Sequence, residues 1–341
     1  MEEWLGELVT FFVQLLLVAL VVMGAIALGS RGQKSEGREQ LQIVDLGQRQ
    51  RRLRARLVQA MSPKRRRGLW PFKRSSDETK EAGQGDDSRS TAWVLDFHGN
   101  LKASGVDRLA REVSLLIDTA REGDDVIVRI ESPGGVVHAY GQAAAELDRL
   151  NAAGLNTTVC VDKVAASGGY LMACNAKRII VAPFAVIGSI GVVAQVPNVH
   201  RLLKRHDIDV ELFTAGRYKR TVTVLGENTD EGRDKLQQDL ENIHERFKSY
   251  VAERRTHVDI EAVSTGEVWY GEEAVAKGLA DEVATSEAYL AQVMSERRVF
   301  SVKLSSVPTL AQRLGFSSSA VVDKALDRVE ERLDASRWEH R

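Results

Sequence analysis

The 341 residues carry 47 Lys/Arg against 48 Asp/Glu and only two cysteines, Cys160 and Cys174, both set in apolar runs. That length suits one large domain with appendages, and the cysteines read as packed thiols rather than a disulfide framework. CxxC pairs, zinc-ligand spacing, a Walker motif and internal repeats are all missing, so no metal or cofactor is expected.

The net charge of −1 hides a strong asymmetry. Residues 31–74 hold 14 Lys/Arg against Glu36, Glu39 and Asp45, a net of +11, while 1–30 carry only Glu2, Glu3 and Glu7. Leu8 to Ser30 is 23 residues without a charge. At ~1.5 Å per residue it is long enough to cross a bilayer core of ~30 Å. The acidic start Met1-Glu2-Glu3-Trp4 is unlike the basic leader of a cleaved signal peptide, so residues 1–30 read as an uncleaved single-pass anchor.

Residues 31–90 read as a basic juxtamembrane stalk and a flexible linker. Arg51-Arg52-Leu53-Arg54 and Lys64-Arg65-Arg66-Arg67 are basic clusters, Leu41 to Met61 suits an amphipathic helix, and Ser75 to Ser90 is polar. Beside a span, such clusters suit anionic lipid headgroups better than nucleic acid, and a solvated stalk explains them equally well. Membrane lipid is therefore an expected partner and nucleic acid is not. The +11 segment after the span favours a cytoplasmic face for the domain beyond residue 90.

From residue 91 strands and helices alternate. Ala92-Trp93-Val94-Leu95-Asp96-Phe97 is a strand, and apolar residues at 109, 113, 116 and 117 give a helical period. Val126 to Ile130 is the next strand, followed by Ser132-Pro133-Gly134-Gly135 and an alanine-rich helix over 138–152. Thr157 to Val161 is a strand that leads into Ala165-Ala166-Ser167-Gly168-Gly169-Tyr170 and a helix. Arg178 to Ala182 is another strand, and Ile187 to Val192 reads as packed structure near a site. A short helix is expected over 198–206, a strand over Val210 to Thr214, a long charged helix over 231–255 and a helix opening at Trp269-Tyr270-Gly271. This βα rhythm implies parallel strands covered on both faces. Residues 301–341 read as a tail with one amphipathic helix, 319–334.

Ser132 to Gly135, Ser167 and Lys219 all lie beyond strand ends, which in an open α/β sheet share one edge where sites form. Glycines 134 and 135 leave backbone N–H groups unobstructed, as an oxyanion pocket requires, although an ordinary strand-to-helix turn needs the same glycines. No Ser-His-Asp order stands out among the seven histidines. A lysine can replace the histidine as base only where desolvation or neighbouring positive charge lowers its pKa, and Arg217 and Arg220 lie close to Lys219.

Glu131-Ser132-Pro133-Gly134-Gly135, Ala165 to Tyr170, Ile187-Gly188-Ser189-Ile190-Gly191-Val192 and Gly216-Arg217-Tyr218-Lys219 together resemble the signal peptide peptidase A family of serine proteases. Trp269 to Ala274 with Lys277-Gly278-Leu279-Ala280-Asp281 fits the same family, and the single domain behind one span resembles its SohB branch. The resemblance covers roughly 91–300. It implies an α/β, ClpP/crotonase-like core of repeated ββα units. It further implies a serine endopeptidase domain over 91–300, in a bacterial-type inner membrane, that cleaves peptides through an acyl-enzyme. Ser167 would be the nucleophile and Lys219 the general base. Gly134 or Gly135, with the N–H of Gly168, would form the oxyanion pocket. Ser189 would support the lysine or only a turn, and His138 would line the groove or only pack. Tyr170 and Tyr218 are expected to pack rather than react. Self-association is expected, with neighbouring subunits completing the sites. Related proteins also place the catalytic domain in the periplasm, which leaves the membrane side open. An inactive membrane scaffold of the same fold is the competing expectation.

Overall fold

Strands β2 (Thr91–His98), β3 (Asp125–Glu131), β4 (Asn156–Val161) and β6 (Arg178–Val181) send alternate apolar residues to two buried faces. Leu95, Phe97, Val126, Val128, Val159, Val161 and Ile179 enter one core, and Val94, Ile127, Cys160 and Ile180 enter another. These residues run parallel in register, with Val94 opposite Ile127 and Val159 opposite Ile179. The computed structural model describes residues 39–61 and 90–306. The expected anchor at 1–30, residues 62–89 of the linker and the helix expected over 319–334 lie outside them. Among the described residues no helix is long and apolar enough to cross a membrane.

The chain divides into two units. Of the smaller, only 39–41 and 304–306 are described, and there the Ser305 hydroxyl donates to the Gln40 carbonyl at 3.3 Å. The larger unit, with Gln42 to Lys303, carries the helices and the body of both sheets.

Among the described residues the main sheet has seven strands in the order β1 (Glu39–Asp45), β10 (Arg298–Ser306), β2, β3, β4, β6 and β9 (Glu282–Val283), parallel from β10 onward. The first core is closed by α2 (Val106–Thr119), α3 (Val137–Ala152) and α4 (Gly168–Ala173), and α9 (Ser286–Glu296) supplies Leu290 and Val293 to the second. A small sheet joins β5 (Val164–Ala166) and β7 (Val186–Gly188) in parallel and β8 (Val268–Tyr270) antiparallel to β7. Two main strands thus hand the chain to small-sheet strands: β4 to β5 and then α4, β6 to β7. The parallel, doubly covered α/β sheet is the one expected.

Three details depart from expectation. Leu41 to Asp45 lies in strand β1, and α1 begins only at Leu46, where the Asp45 carboxylate accepts the Gln48 N–H at 2.7 Å and starts the helix (Leu46–Met61). No strand forms over Val210 to Thr214: Ile208, Val210 and Leu212 alternate but are 50%, 38% and 51% exposed, and the segment pairs with no strand among the described residues. β10 continues past residue 300 to Ser306, because Val302 and Leu304 are buried.

Candidate active site

The strand ends meet around Ser167. The Ser132 N–H, just past β3, donates to the Val164 carbonyl (2.8 Å), and the Ala166 N–H donates back to the Ser132 carbonyl (3.0 Å). On the other side the Ser167 N–H donates to the Gly188 carbonyl at the end of β7 (2.8 Å). Pinned from both sides, Ser167 holds φ 50° and ψ −117°, outside the ordinary regions for a side-chain-bearing residue. Such a conformation costs of the order of 1–3 kcal/mol and persists only where its surroundings impose it. The Ser167 carbonyl then accepts the Leu171 N–H (2.9 Å), opening α4. The first N–H groups of that helix, Gly168 foremost, have no intrahelical acceptor.

Gly134 is pressed against this turn. It has φ +93°, and a Cβ there would lie 2.7 Å from the Ser167 Cβ and 2.8 Å from the Gly168 nitrogen. Only glycine lets the Ser132–Gly135 turn come so close. The Gly134 N–H donates to the Ser132 hydroxyl (3.2 Å), whereas among the described residues that of Gly135 makes no hydrogen bond.

Ser167, Gly134 and Gly168 are therefore brought together. Ser189 stands one residue past Gly188, also at φ 50°, with its N–H on the Glu267 carbonyl (2.7 Å). Lys219 makes no hydrogen bond to any of them. It is exposed, in the irregular segment between α5 (His200–Arg205) and α6 (Asp230–Arg254), where its N–H closes a turn on the Gly216 carbonyl (3.1 Å). Among the described residues no hydrogen bond or ion pair engages its ammonium. Arg217, which could have lent that ammonium a neighbouring positive charge, pairs with Glu231 of α6 (2.6 Å). His138 is exposed in the first turn of α3.

Tyr170 is fully buried and donates to the Leu279 carbonyl (3.0 Å), and burial pushes its pKa well up, so it packs rather than reacts. Tyr218 is 47% exposed beneath the Arg217 guanidinium (5.1 Å). His244 of α6 donates through Nε2 to the Ile190 carbonyl (3.2 Å), bracing the loop after Gly188. Three contributors escaped the sequence: the Gly188 carbonyl, the Ser132 hydroxyl and Tyr140, whose hydroxyl lies 2.6 Å from Ser132 Oγ. The one available signal was a lone tyrosine one turn into an alanine-rich helix that follows a glycine pair.

The description "Peptidase family S49" matches residues 149–300, and "Peptidase family S49 N-terminal" matches 3–147. The "Probable protease SohB" of Haemophilus influenzae is 52% identical over 230 residues, 67% of this chain and 65% of that protein. The protein of the same name from Buchnera aphidicola subsp. Schlechtendalia chinensis is 40% identical over 295 residues, 83% of this chain and 95% of that one. "Protease 4" of Salmonella typhi is 31% identical over 160 residues, 46% of this chain and 26% of that one. With nearly the whole of one relative matched and both halves of the family pattern present in order, the chain belongs to peptidase family S49, on its SohB-like side.

Proposed function

We propose that the chain is a membrane-anchored serine endopeptidase working through a Ser167/Lys219 dyad on a ClpP/crotonase-like core. The single observation that carries this is the strained Ser167 turn with Gly134 packed against it, beside the first N–H groups of α4 and a Gly135 N–H that makes no hydrogen bond among the described residues. The Lys219 amine takes the Ser167 proton as Oγ attacks a peptide carbonyl carbon, and the carbonyl π electrons move onto oxygen. Gly168 and Gly135 donate to that oxygen, since the N–H of Gly134 is already held by Ser132. Collapse of the intermediate breaks the C–N bond and the leaving amine takes the proton from the lysine. Water, deprotonated by the same lysine, then attacks the acyl carbonyl, the ester C–O bond to Ser167 breaks, and the lysine returns the proton to Ser167 Oγ.

The base in this scheme comes from the family resemblance. Its segment carries exposed Leu212, Phe213 and Tyr218, which supports a second copy of the chain covering it and drying Lys219. Residues 8–30 are read as the anchor, with the basic stalk favouring a cytoplasmic domain over a periplasmic one. Substrates are read as peptides with small or apolar side chains.

The exposed Lys219 favours one competing reading, a membrane scaffold without turnover. Hydrolysis of an apolar fluorogenic peptide by the full chain decides between them. Ser167→Ala and Lys219→Ala are each expected to reduce turnover at least about 10³-fold. Equal activity in wild type and both variants overturns the dyad.

A further inference from the structure

A buried chain of hydroxyls runs behind the glycine turn. The Gly134 N–H donates to the Ser132 hydroxyl (3.2 Å), Ser132 Oγ lies 2.6 Å from Tyr140 Oη, and Tyr140 donates to the Asn100 carbonyl (2.8 Å). A carbonyl can only accept, so the Tyr140 proton is committed to Asn100. The Ser132 proton then goes to Tyr140, and the Ser132 oxygen receives Gly134. The order is fixed along its whole length. Both side chains are 0% exposed, so water does not substitute for a missing link.

The Tyr140 ring does a second thing. It fills the space a Cβ on Gly168 would need, meeting the backbone of α4 from behind. One side chain therefore abuts both carriers of the oxyanion N–H groups, the Gly134–Gly135 turn through Ser132 and Gly168 through its ring.

We propose that Tyr140, acting through Ser132, is a positioning residue that holds both halves of the oxyanion pocket in register. This rests on the serine-peptidase reading. The relay keeps the Gly134 amide turned back and leaves the Gly135 amide facing the reacting carbonyl. Its removal lowers transition-state stabilisation and leaves ground-state binding alone.

The test uses the full chain with Tyr140→Phe, Ser132→Ala and the double variant, assayed on a fluorogenic peptide. Rates are expressed per Ser167 labelled by a fluorophosphonate, with thermal unfolding measured in parallel. Tyr140→Phe is expected to lower kcat about tenfold, and Ser132→Ala between about tenfold and 100-fold, with KM within about twofold. The double variant is expected to lose no more than the worse single one, because both cut the same relay. A kcat per labelled site unchanged in Tyr140→Phe overturns the proposal, even if stability falls, and so does a double variant whose losses multiply. Failure of the underlying reading is separate: wild type would then not be labelled at Ser167 and would match Ser167→Ala.

Discussion

Replacing Gly134 by alanine tests the geometry of the Ser167 turn directly. The added Cβ would sit 2.7 Å from the Ala166 carbonyl oxygen, 2.7 Å from the Ser167 Cβ and 2.8 Å from the Gly168 nitrogen. Carbon atoms pack at about 3.5–4.0 Å, so the two turns must separate by about 0.8 Å, and the atoms in the way are backbone and Cβ. A misplacement near 1 Å costs about 10²-fold in rate, equivalent to about 2.7 kcal/mol of transition-state stabilisation. The positive φ adds about 1–2 kcal/mol of conformational cost that affects stability alone. Gly123→Ala separates the two effects. Gly123 has φ +85° with nothing within 4 Å of its would-be Cβ, and it precedes β3 at the end remote from Ser132. Thermal unfolding should show a drop in Tm of about 2–4 °C per kcal/mol from strain alone in Gly123→Ala, and a larger drop in Gly134→Ala, where the clash adds to the strain. Turnover should fall about 100-fold only in Gly134→Ala. A folded Gly134→Ala protein working within threefold of wild type would refute the close-approach argument.

Asp281 accepts both Arg255 nitrogens (3.0 and 2.8 Å) and the Ile179 N–H (2.7 Å). Burial pulls its pKa up, but the Arg255 hydrogen bond, the Ile179 N–H and the Arg255 charge together hold it below the ordinary 3.8. Its contribution is therefore present above that value and is lost as pH falls through the lower folded value. Asp281→Asn should cost about 2–3 kcal/mol in urea unfolding at pH 7, and the gap to wild type should close only below pH 3.8; a gap that stays constant down to pH 2 contradicts the pairing. Cys160 and Cys174 are buried, and burial pushes both thiols up to about 12. Iodoacetamide at pH 8 should label neither in the native chain and both in urea; rapid native labelling would place either thiol elsewhere.

The sheet was legible because its strands are short β-branched or aliphatic runs bounded by glycine, proline or polar turns, a pattern that two-sided burial enforces. Val126 to Ile130 and Thr157 to Val161 are such runs, and each forms its strand within one residue of expectation. Val210 to Thr214 alternates but pairs with no strand among the described residues, and alternation alone cannot supply a sheet edge. Leu41 to Asp45 failed for the opposite reason. Its alternation continued into a helical period, and the boundary was set by one capping carboxylate, Asp45. At the site, Ser167 and the glycine pair stood out because close backbone approach restricts residue type. Tyr140 did not, because its partners Asn100 and Ser132 lie 40 and eight residues away and only folding aligns them.

The two halves of the proposed dyad make different demands, and the chain meets them in different places. A nucleophile at a strained turn needs backbone held to a fraction of an ångström. That comes from hydrogen bonds on both flanks, here from Ser132 and Gly188, where the small sheet meets the end of β3. A lysine base needs dry surroundings more than a fixed backbone, since its four-carbon stem can reach and adjust. Exposed Leu212, Phe213 and Tyr218, in the same segment as Lys219, give that segment apolar surface that a neighbour would dry. On that division, substitutions that add bulk at Gly134 act within one chain and survive dilution unchanged. Substitutions such as Phe213→Ser act on association, so their effect on turnover should grow as the protein is diluted. If Phe213→Ser and wild type lose the same fraction of activity over a hundredfold dilution, the base is not supplied in this way.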